Sequence, residues 1–204
     1  MATTTYMRSR YKELLANIPK AREESTAWFR DAMKTVSGHE LMSRNRPRLL
    51  PQRRLSRRLI GRMLMYFYEP LPKSQQTMPY FDTFPLVIPI NMYEKGWLGL
   101  NLHYISPRLR VDLLDSLYEL YNNKHLNENA KLNISYNTLQ KSMKIRFYQP
   151  TIHRYGNARL RSRIYVVDPE EWDLTLLLPT ERFVGASKYK VWNDSRRHLG
   201  IGSI

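Results

Sequence analysis

The chain of 204 residues contains no cysteine, which excludes disulfide bonds, thiolate zinc sites and cysteine nucleophiles. It has no run of about 18 apolar residues, and its first residues, MATTTYMRSRYKELL, lack the apolar stretch of a secretory signal. We therefore expect no membrane-spanning helix. Acidic residues are also scarce, because 18 Asp and Glu stand against 33 Lys and Arg and leave a net charge of +15. A hydrophobic fraction of 42% is still enough for a folded core.

Motifs of metal-dependent and nucleotide-hydrolysing enzymes are absent as well. The five histidines are far apart and form no zinc-site motif with a glutamate. Neither a G-x-x-x-x-G-K-[ST] loop nor a G-x-G-x-x-G loop occurs. Glu69, Asp82 and Glu94 fall near strand ends and could converge as in a nuclease, but balancing nearby arginines explains them more simply. The sequence therefore predicts no enzyme, no catalytic residue, no metal and no cofactor.

Basic residues are abundant and concentrated in two segments. Eight arginines occur between residues 44 and 62, and no acidic residue occurs from Asn45 to Tyr68. A second acid-free segment runs from Asn129 to Val167. Guanidinium groups bind phosphate oxygens two at a time, and each neutralised phosphate releases counterions. The candidate DNA-binding residues are Arg44, Arg46, Arg48, Arg53, Arg54, Arg57, Arg58, Arg62, Lys141, Lys144, Arg146, Arg154, Arg159, Arg161 and Arg163.

Such a charge has three ordinary explanations: a nucleic acid, an acidic membrane surface or an acidic protein partner. We favour a nucleic acid because arginine outnumbers lysine in both segments and suits fixed, bidentate phosphate contacts. A membrane surface is disfavoured, since Pro47 and Pro51 interrupt the first segment and no amphipathic helical face is present. An acidic protein partner stays open.

Aromatic residues are interleaved with these basic residues. They are Tyr66, Phe67, Tyr68, Phe147, Tyr148 and Tyr155. Interleaving of this kind on strands is typical of proteins that stack single-stranded bases on aromatic rings. Small β-cores are filled by aromatic residues at the same density, and we favour core packing over base stacking here. Contact with a duplex through its phosphates needs only the arginines.

The chain divides into an N-terminal part, residues 1–58, and an α+β core with a C-terminal helix, residues 59–204. In the first part we expect an extended or partly helical arm over residues 1–20. A helix is predicted from about Glu23 to Val36, with one apolar stripe, followed by an exposed arginine-rich strap over residues 39–58. The prolines and charge of arm and strap predict that both fold only against a partner.

The second part contains alternating apolar segments with turn signals between them. Ser106 and Pro107 begin a long amphipathic helix that ends near Asn122. Pro85 and Pro89 place their strand at an edge or bend it. Strands are predicted over residues 59–69, 80–90, 97–104, 144–155, 161–168 and 174–178, and short or terminal helices over 135–143 and 187–199. The fold class is therefore α+β: a small, bent β-barrel-like core with one long covering helix and extended basic N-terminal arms.

One stretch carries a resemblance to a known family. Its pattern is G-[KR]-M followed by aromatic residues, then Y-[FY]-D-x-F-P-L-V and G-[FW]-L-G-L-N-x-H-Y-[LI]-x-P. The matching residues are Gly61, Arg62, Met63, Tyr80, Phe81, Asp82, Phe84, Pro85, Leu86, Val87, Gly96, Trp97, Leu98, Gly99, Leu100, Asn101, His103, Tyr104 and Pro107. The likeness continues through RFYQPTIHRY, LPTERFVGAS and VWNDS and covers roughly residues 25–195. On these motifs the chain resembles the DNA end protector proteins in the virions of contractile-tailed bacteriophages (myoviruses).

The resemblance implies a role at the ends of a packaged linear double-stranded DNA genome. There the protein would shield the ends from host exonuclease at the head–neck junction, with no catalytic residue. The implied partners are DNA ends and the portal, neck or tail proteins of the phage, without a membrane. The protein would be in the host cytoplasm during assembly, and its oligomeric state is left open. The alternative is a structural neck, tail or baseplate component whose basic arms dock on acidic virion proteins, and a nuclease is a weaker third.

Overall fold

The computed structural model describes residues 5–37, 49–50, 59–121, 123, 125, 130–131, 137–139, 141, 146–177 and 182–198. The helices are α1 (Tyr6–Ala16), α2 (Ile18–Ser37), α3 (Pro72–Thr77), α4 (Pro107–Tyr121) and α5 (Lys188–His198). The strands are β1 (Leu49–Leu50), β2 (Met63–Met65), β3 (Phe81–Asp82), β4 (Leu86–Tyr93), β5 (Gly96–Asn101), β6 (Ile152–Gly156), β7 (Ile164–Val167) and β8 (Phe183–Val184). Short 3-10 helices cover Leu102–Tyr104, Arg146–Thr151, Asn157–Arg159 and Pro169–Thr175. This mixture of helices and antiparallel strands confirms the predicted α+β class.

The N-terminal part begins with two consecutive helices, so of the two forms predicted for the arm the helical one is confirmed over residues 5–20 and the extended one is wrong. α1 buries Met7 and Leu14, which lie two turns apart on one side of the helix. Arg10 attaches α1 to the core, because its Nε and Nη2 donate to the Asp173 carboxylate at 3.0 and 2.9 Å. These contacts are made within the chain, whereas the sequence predicts that this arm folds only against a partner.

α2 confirms the predicted helix and its apolar stripe, although it begins earlier than predicted. Phe29, Ala32 and Val36 are buried on that stripe. The Trp28 ring meets the Tyr165 ring of β7 edge-on, with 6.3 Å between centroids. The stripe therefore packs the helix against the sheet and is not a ligand site.

The core is an open antiparallel sheet of six strands in the order β1-β7-β2-β4-β5-β6. The predicted barrel-like closure is therefore wrong: within the described residues β1 and β6 are edges that do not pair with each other. β1 is only two residues long, so it has too few backbone N–H and C=O groups to pair with β6 and close a barrel. It is also the only described part of the predicted strap over residues 39–58, and it pairs with β7. β3 and β8 form a separate two-stranded ribbon.

β4 lies inside the sheet, between β2 and β5, although it contains Pro89. A proline has no N–H for the ladder, which is why the sequence predicts an edge or a bend. The pairing register shifts between Pro89 and Asn91, and this irregularity accommodates the proline. The Pro89 carbonyl accepts from Gly61 N–H at 2.9 Å, and Gly61 has a positive φ of 81°. The predicted bend and the predicted close approach at Gly61 are confirmed, and the edge position is wrong.

The two faces of the sheet bury different residues, because successive strand side chains point to opposite sides. The helix face, which packs in one core with α1, α2 and α4, consists of Met63, Met65, Leu86, Ile88, Leu100, Tyr165 and Val167. The aromatic face consists of Leu64, Tyr66, Val87, Trp97, Tyr155 and Ile164. The helices thus stabilise the sheet from one side and leave the other side for different contacts.

α4 confirms the predicted long helix, and its apolar residues Leu114 and Leu117 are fully buried. Arg110 is a charged residue of this amphipathic helix, but it does not lie on the solvent side. Arg110 is completely buried, and its Nε donates to the carbonyls of Leu102 at 2.8 Å and Ile105 at 3.0 Å. Buried carbonyl groups need a donor, so the arginine joins the helix to the turn that follows β5.

The C-terminal region contains one wrong prediction and one confirmed prediction. In place of the predicted strand over residues 174–178, a 3-10 helix covers Pro169–Thr175 and buries Trp172. Asp168 precedes it without a side-chain capping hydrogen bond. α5 confirms the predicted last helix. Most of the predicted helix over residues 135–143 lies outside the described residues.

Candidate nucleic-acid interface

The structure brings together part of the second basic segment. Arg154, Arg159, Arg161 and Arg163 lie on β6 and on the connection to β7. Arg62 is half-buried just before β2 and Lys141 is exposed, while Arg146 begins a 3-10 helix. Outside the described residues lie Arg44, Arg46, Arg48, Arg53, Arg54, Arg57, Arg58 and Lys144.

The connection between β6 and β7, residues 157–163, is held against the segment that follows β2. The Arg159 carbonyl accepts from Glu69 N–H at 3.1 Å, and Arg161 N–H donates to the Phe67 carbonyl at 2.9 Å. These two bonds continue a ladder beyond the end of β2 and fix the backbone of the connection. The arginines of the connection therefore project from a hydrogen-bonded backbone.

The arginines of this region differ in whether a carboxylate pairs with them. The Arg161 Nε donates to the Glu69 carboxylate at 2.6 Å, and both side chains are about half exposed. Arg154, Arg159 and Arg163 have no ion-pair partner among the described residues. Arg154 and Arg163 are exposed and Arg159 is half-buried. Guanidinium groups that reach solvent without a carboxylate partner attract phosphate groups, so we call these three the available arginines.

A cavity of about 330 Å³ opens beside this connection. We call it the aromatic cavity because four tyrosines line it, together with His153 and two of the available arginines. The tyrosines are Tyr68, Tyr93, Tyr104 and Tyr155, and the arginines are Arg154 and Arg159. Ser74 of α3 and Asp82 of β3 also belong to its lining.

The tyrosines of the aromatic cavity are held in place by hydrogen bonds and ring contacts. The Tyr68 hydroxyl accepts from Gly156 N–H at 3.1 Å, and the Tyr93 hydroxyl donates to the Trp97 carbonyl at 2.7 Å. The rings of Tyr68 and Tyr155 meet edge to face, with 5.0 Å between centroids. These contacts fix the orientation of the rings that form the aromatic surface.

Two guanidinium groups lie close to two of these phenols. Burial raises the pKa of Tyr68, and Arg159 acts in the opposite direction on that hydroxyl. Burial likewise raises the pKa of Tyr93, opposed by Arg154. Both phenols are therefore neutral at pH 7, and each has a cationic side chain beside it.

Asp82 is held in a buried polar network. Its carboxylate accepts from Asn101 Nδ2 at 3.0 Å and from Phe84 N–H at 3.0 Å, and it lies 2.7 Å from His103 Nδ1. Burial alone would raise the pKa of Asp82, but His103, Asn101 and the Phe84 N–H together lower it. The carboxylate is ionised and fully hydrogen-bonded, so its role in this arrangement is structural.

Two of the three carboxylates that could converge as in a nuclease are engaged separately, and the third, Glu94, is exposed. Asp82 is bound by His103, and Glu69 pairs with Arg161. Across the described ranges, no three His, Asp or Glu side chains are grouped in a way that could hold a metal ion. None of the helices in the described part of the chain is long and apolar enough to cross a membrane.

His153 contributes a neutral ring to the aromatic cavity. Burial lowers the pKa of His153 to about 4, so the imidazole is uncharged at pH 7. Its Nε2 lies 3.1 Å from the Pro150 carbonyl and therefore carries the proton. Nδ1 is left as an acceptor, and the ring lies 4.1 Å from the Tyr104 ring.

Sequence reasoning missed the cavity but had signals for it. Core packing is confirmed for Tyr66, Tyr148 and Tyr155, which are buried, whereas Tyr68 is only half-buried and lines the cavity. The missed network consists of Asp82, Asn101 and His103, which are buried polar residues next to apolar ones in the sequence. Polar residues at such positions need buried partners, which was a usable signal for the network.

A family comparison agrees with the resemblance described above. A model of the family described as "Phage T4 terminal DNA protecting protein" matches residues 2–196. Because this match spans nearly the whole chain, the protein belongs to that family. The family is named for DNA protection rather than for an enzymatic activity, and membership supports a role in protecting DNA ends. No curated protein and no solved structure matches the chain.

Proposed function

We propose that this protein binds the ends of the packaged linear double-stranded DNA of a contractile-tailed phage and protects them from host exonuclease at the head–neck junction. The observation that carries the proposal is the family match over residues 2–196. Three arginines support it: Arg154 of β6 and Arg159 and Arg163 of the β6–β7 connection. They have no carboxylate partner among the described residues, and Arg154 and Arg159 line the aromatic cavity.

The same three arginines suit a duplex of any sequence. Phosphate contacts position a protein on DNA without reading bases, and a terminus protector has to accept whatever sequence lies at the end. Arg154, Arg159 and Arg163 supply such contacts from a fixed backbone. We propose that the first basic segment, residues 44–62, extends the contact along the duplex. Occupying the terminus then blocks an exonuclease by steric exclusion, and no cleavage chemistry is needed.

An exonuclease-protection assay on blunt linear DNA tests this function. The wild-type protein should slow digestion of the DNA from its ends. Replacing Arg154, Arg159 and Arg163 together by glutamine should reduce the protection, because three cations that bind phosphate are removed. A matched control replaces Arg22, Arg30 and Lys34 of α2, which are also exposed, by glutamine. That control removes the same charge on the helical side and should leave protection close to wild type.

The salt dependence of binding measures how many phosphates each segment neutralises. The slope of log K against log[salt] should fall by up to about 0.9 for each phosphate that a variant no longer neutralises. The quadruple change of Arg53, Arg54, Arg57 and Arg58 to glutamine tests the first segment in the same way. An unchanged slope would exclude that segment from the DNA contact.

Two results would contradict the proposed function. One is digestion of linear DNA at the same rate with and without the protein. The other is stable association with purified portal or tail rings, regardless of DNA, combined with no salt-sensitive binding to linear duplex. The second result would instead favour a structural component that docks on acidic virion proteins.

A further inference from the structure

The aromatic cavity has a size and a lining that a duplex backbone contact does not require. We propose that it takes a single unpaired nucleotide at the terminus of the DNA, with the base inside and the phosphate at Arg154 and Arg159. This inference rests on the proposed function and gives a physical reason for a preference for ends.

The volume of the cavity selects the class of ligand. At about 330 Å³ it lies at the lower end of the range of roughly 300–1,000 Å³ that is typical of small-molecule sites. That space admits one base with its sugar and is far too small for a base pair within a duplex. The ligand therefore has to be a nucleotide that has left the stack.

The charges around the cavity determine which end of the nucleotide enters. Asp82 lines the cavity as an ionised carboxylate whose oxygens are already bound by Asn101, His103 and the backbone. A phosphate placed beside it would be repelled, because like charges close together in a poorly solvated site are strongly unfavourable. Arg154 and Arg159, also in the lining, have no ion-pair partner among the described residues. The base therefore enters and the phosphate stays with the arginines.

The rings of the cavity suit a base of any sequence. Tyr68 and Tyr93 are fixed by the hydrogen bonds of their hydroxyl groups, and Tyr93 is 43% exposed. Stacking on aromatic rings tolerates every base because every base has a π-face. His153 adds the acceptor Nδ1, which can receive an N–H group of a base. The site therefore binds a nucleotide without selecting its identity.

The cost of unstacking makes such a cavity selective for ends. A base inside a duplex has to be unpaired and flipped before it can enter, and that cost is smallest for a base that is already unpaired. A terminal overhanging nucleotide is in that state, whereas a closed circle has none. The cavity would thus distinguish a terminus from the rest of the genome by its structure rather than by its sequence.

Filling the cavity is the most direct test. Ser74→Trp places a large ring from α3 into the cavity, and Gln76→Trp on the same helix is the matched control because Gln76 is exposed and outside the lining. The measured quantity is the ratio of affinities for linear duplex with one unpaired 3′ nucleotide and for a closed circle of the same sequence. Stacking of one base corresponds to about 5- to 150-fold in affinity. We expect a wild-type ratio of at least about 5, reduced towards 1 by Ser74→Trp and unchanged by Gln76→Trp.

A second variant and a spectroscopic signal keep the test independent of folding. Tyr93→Ala removes an exposed ring and should lower the same ratio if Ser74→Trp does not fold. A 2-aminopurine at the unpaired terminal position should change its fluorescence when the wild-type protein binds, and free dAMP should compete for that signal. The change should be lost in both variants and kept in Gln76→Trp.

The outcomes separate this inference from the proposed function. If the wild-type protein prefers ends and the folded Ser74→Trp and Tyr93→Ala variants keep that preference, the cavity is not the terminus site, although the proposed function stands. If the wild-type protein shows no preference for linear DNA over circles and no exonuclease protection, the proposed function fails and the cavity proposal fails with it.

Discussion

The helix face and the aromatic face of the sheet use their side chains differently. On the helix face, aliphatic residues such as Met65, Leu86 and Ile88 are fully buried under helices. On the aromatic face, Trp97 and Tyr155 are buried, but the neighbouring tyrosines Tyr68 and Tyr93 remain partly exposed around a cavity. Two arginines without ion-pair partners among the described residues line that cavity.

This difference separates stability from recognition. Apolar burial on the helix face supplies stabilisation roughly in proportion to area and has no directional chemistry. Hydrogen bonds and ring contacts on the aromatic face instead fix the positions of groups that can meet a ligand. Changes on the first face should therefore alter the free energy of unfolding, and changes on the second should alter end binding.

The largest expected effect comes from a cavity made on the helix side. Leu114→Ala removes a fully buried side chain of α4 and should lower the free energy of unfolding by about 2–5 kcal/mol. Urea titration measures this change. The folded fraction of this variant should prefer DNA ends over closed circles as strongly as the wild-type protein does. Loss of that preference in folded Leu114→Ala protein would show that the helix face also takes part in recognition.

Acidification should destabilise the protein through His153 on the aromatic side. The pKa of His153 is about 4 in the folded state, below its ordinary value of 6.5, so the unfolded state takes up a proton first as the pH falls. The stability linked to this ring is therefore present above pH 6.5 and is lost between pH 6.5 and 4, by up to about 3 kcal/mol. Asp82, whose pKa is lowered from 3.8, adds its own loss only below that window.

Urea titrations at pH 7 and pH 4.5 measure the histidine effect. His153→Phe should reduce the difference between the two pH values, because the titrating ring is gone. An undiminished difference in this variant would assign the pH dependence to other groups.

A smaller loss is expected when the buried carboxylate loses its charge. Asp82→Asn keeps the shape but weakens charge-assisted hydrogen bonds with Asn101 and the backbone, which should cost about 2 kcal/mol. Because Asp82 also lines the aromatic cavity, the affinity ratio of ends to circles should fall as well. A change in stability without any change in that ratio would show that the network is independent of the cavity.

The smallest effect is expected at an exposed ion pair. Glu69→Gln removes the partner of Arg161 and should change the free energy of unfolding by less than about 1 kcal/mol, since both side chains are half exposed. The freed guanidinium should steepen the salt dependence of DNA binding by up to about 0.9. Glu94→Gln, another exposed carboxylate, is the control for the change in net charge. Equal effects of both variants would mean that Arg161 does not contact phosphate.

The elements predicted best are those with clear start or turn residues in their own sequence. α4 followed from Ser106 and Pro107 and from its amphipathic pattern, and β4 and β5 followed from two apolar segments with a turn signal between them. α1 was predicted only as part of an extended or partly helical arm, because its apolar side consists of few residues, chiefly Met7 and Leu14. That helix depends on packing against the core, which local periodicity does not report.

Long-range pairings account for the remaining errors. The apolar run over residues 174–178 resembles a strand, yet its neighbour Trp172 is buried in a 3-10 helix, so burial rather than sheet pairing explains the pattern. The open sheet was mistaken for a barrel because strand count does not reveal which edges meet. The approach of Asp82 to His103 joins two segments of the chain and could not be placed without the fold. Two of the candidate DNA-binding residues, Arg154 and Arg159, line a cavity that the sequence did not predict.

Photo-crosslinking of a duplex with a reactive base at its unpaired terminal position tests the central claim most directly. We predict that peptides covering residues 66–82 and 153–163 carry the crosslinks, and that Ser74→Trp abolishes them. Crosslinks confined to α1, α2 and α4 would place the DNA end on the helix side and contradict the assignment of recognition to the aromatic face.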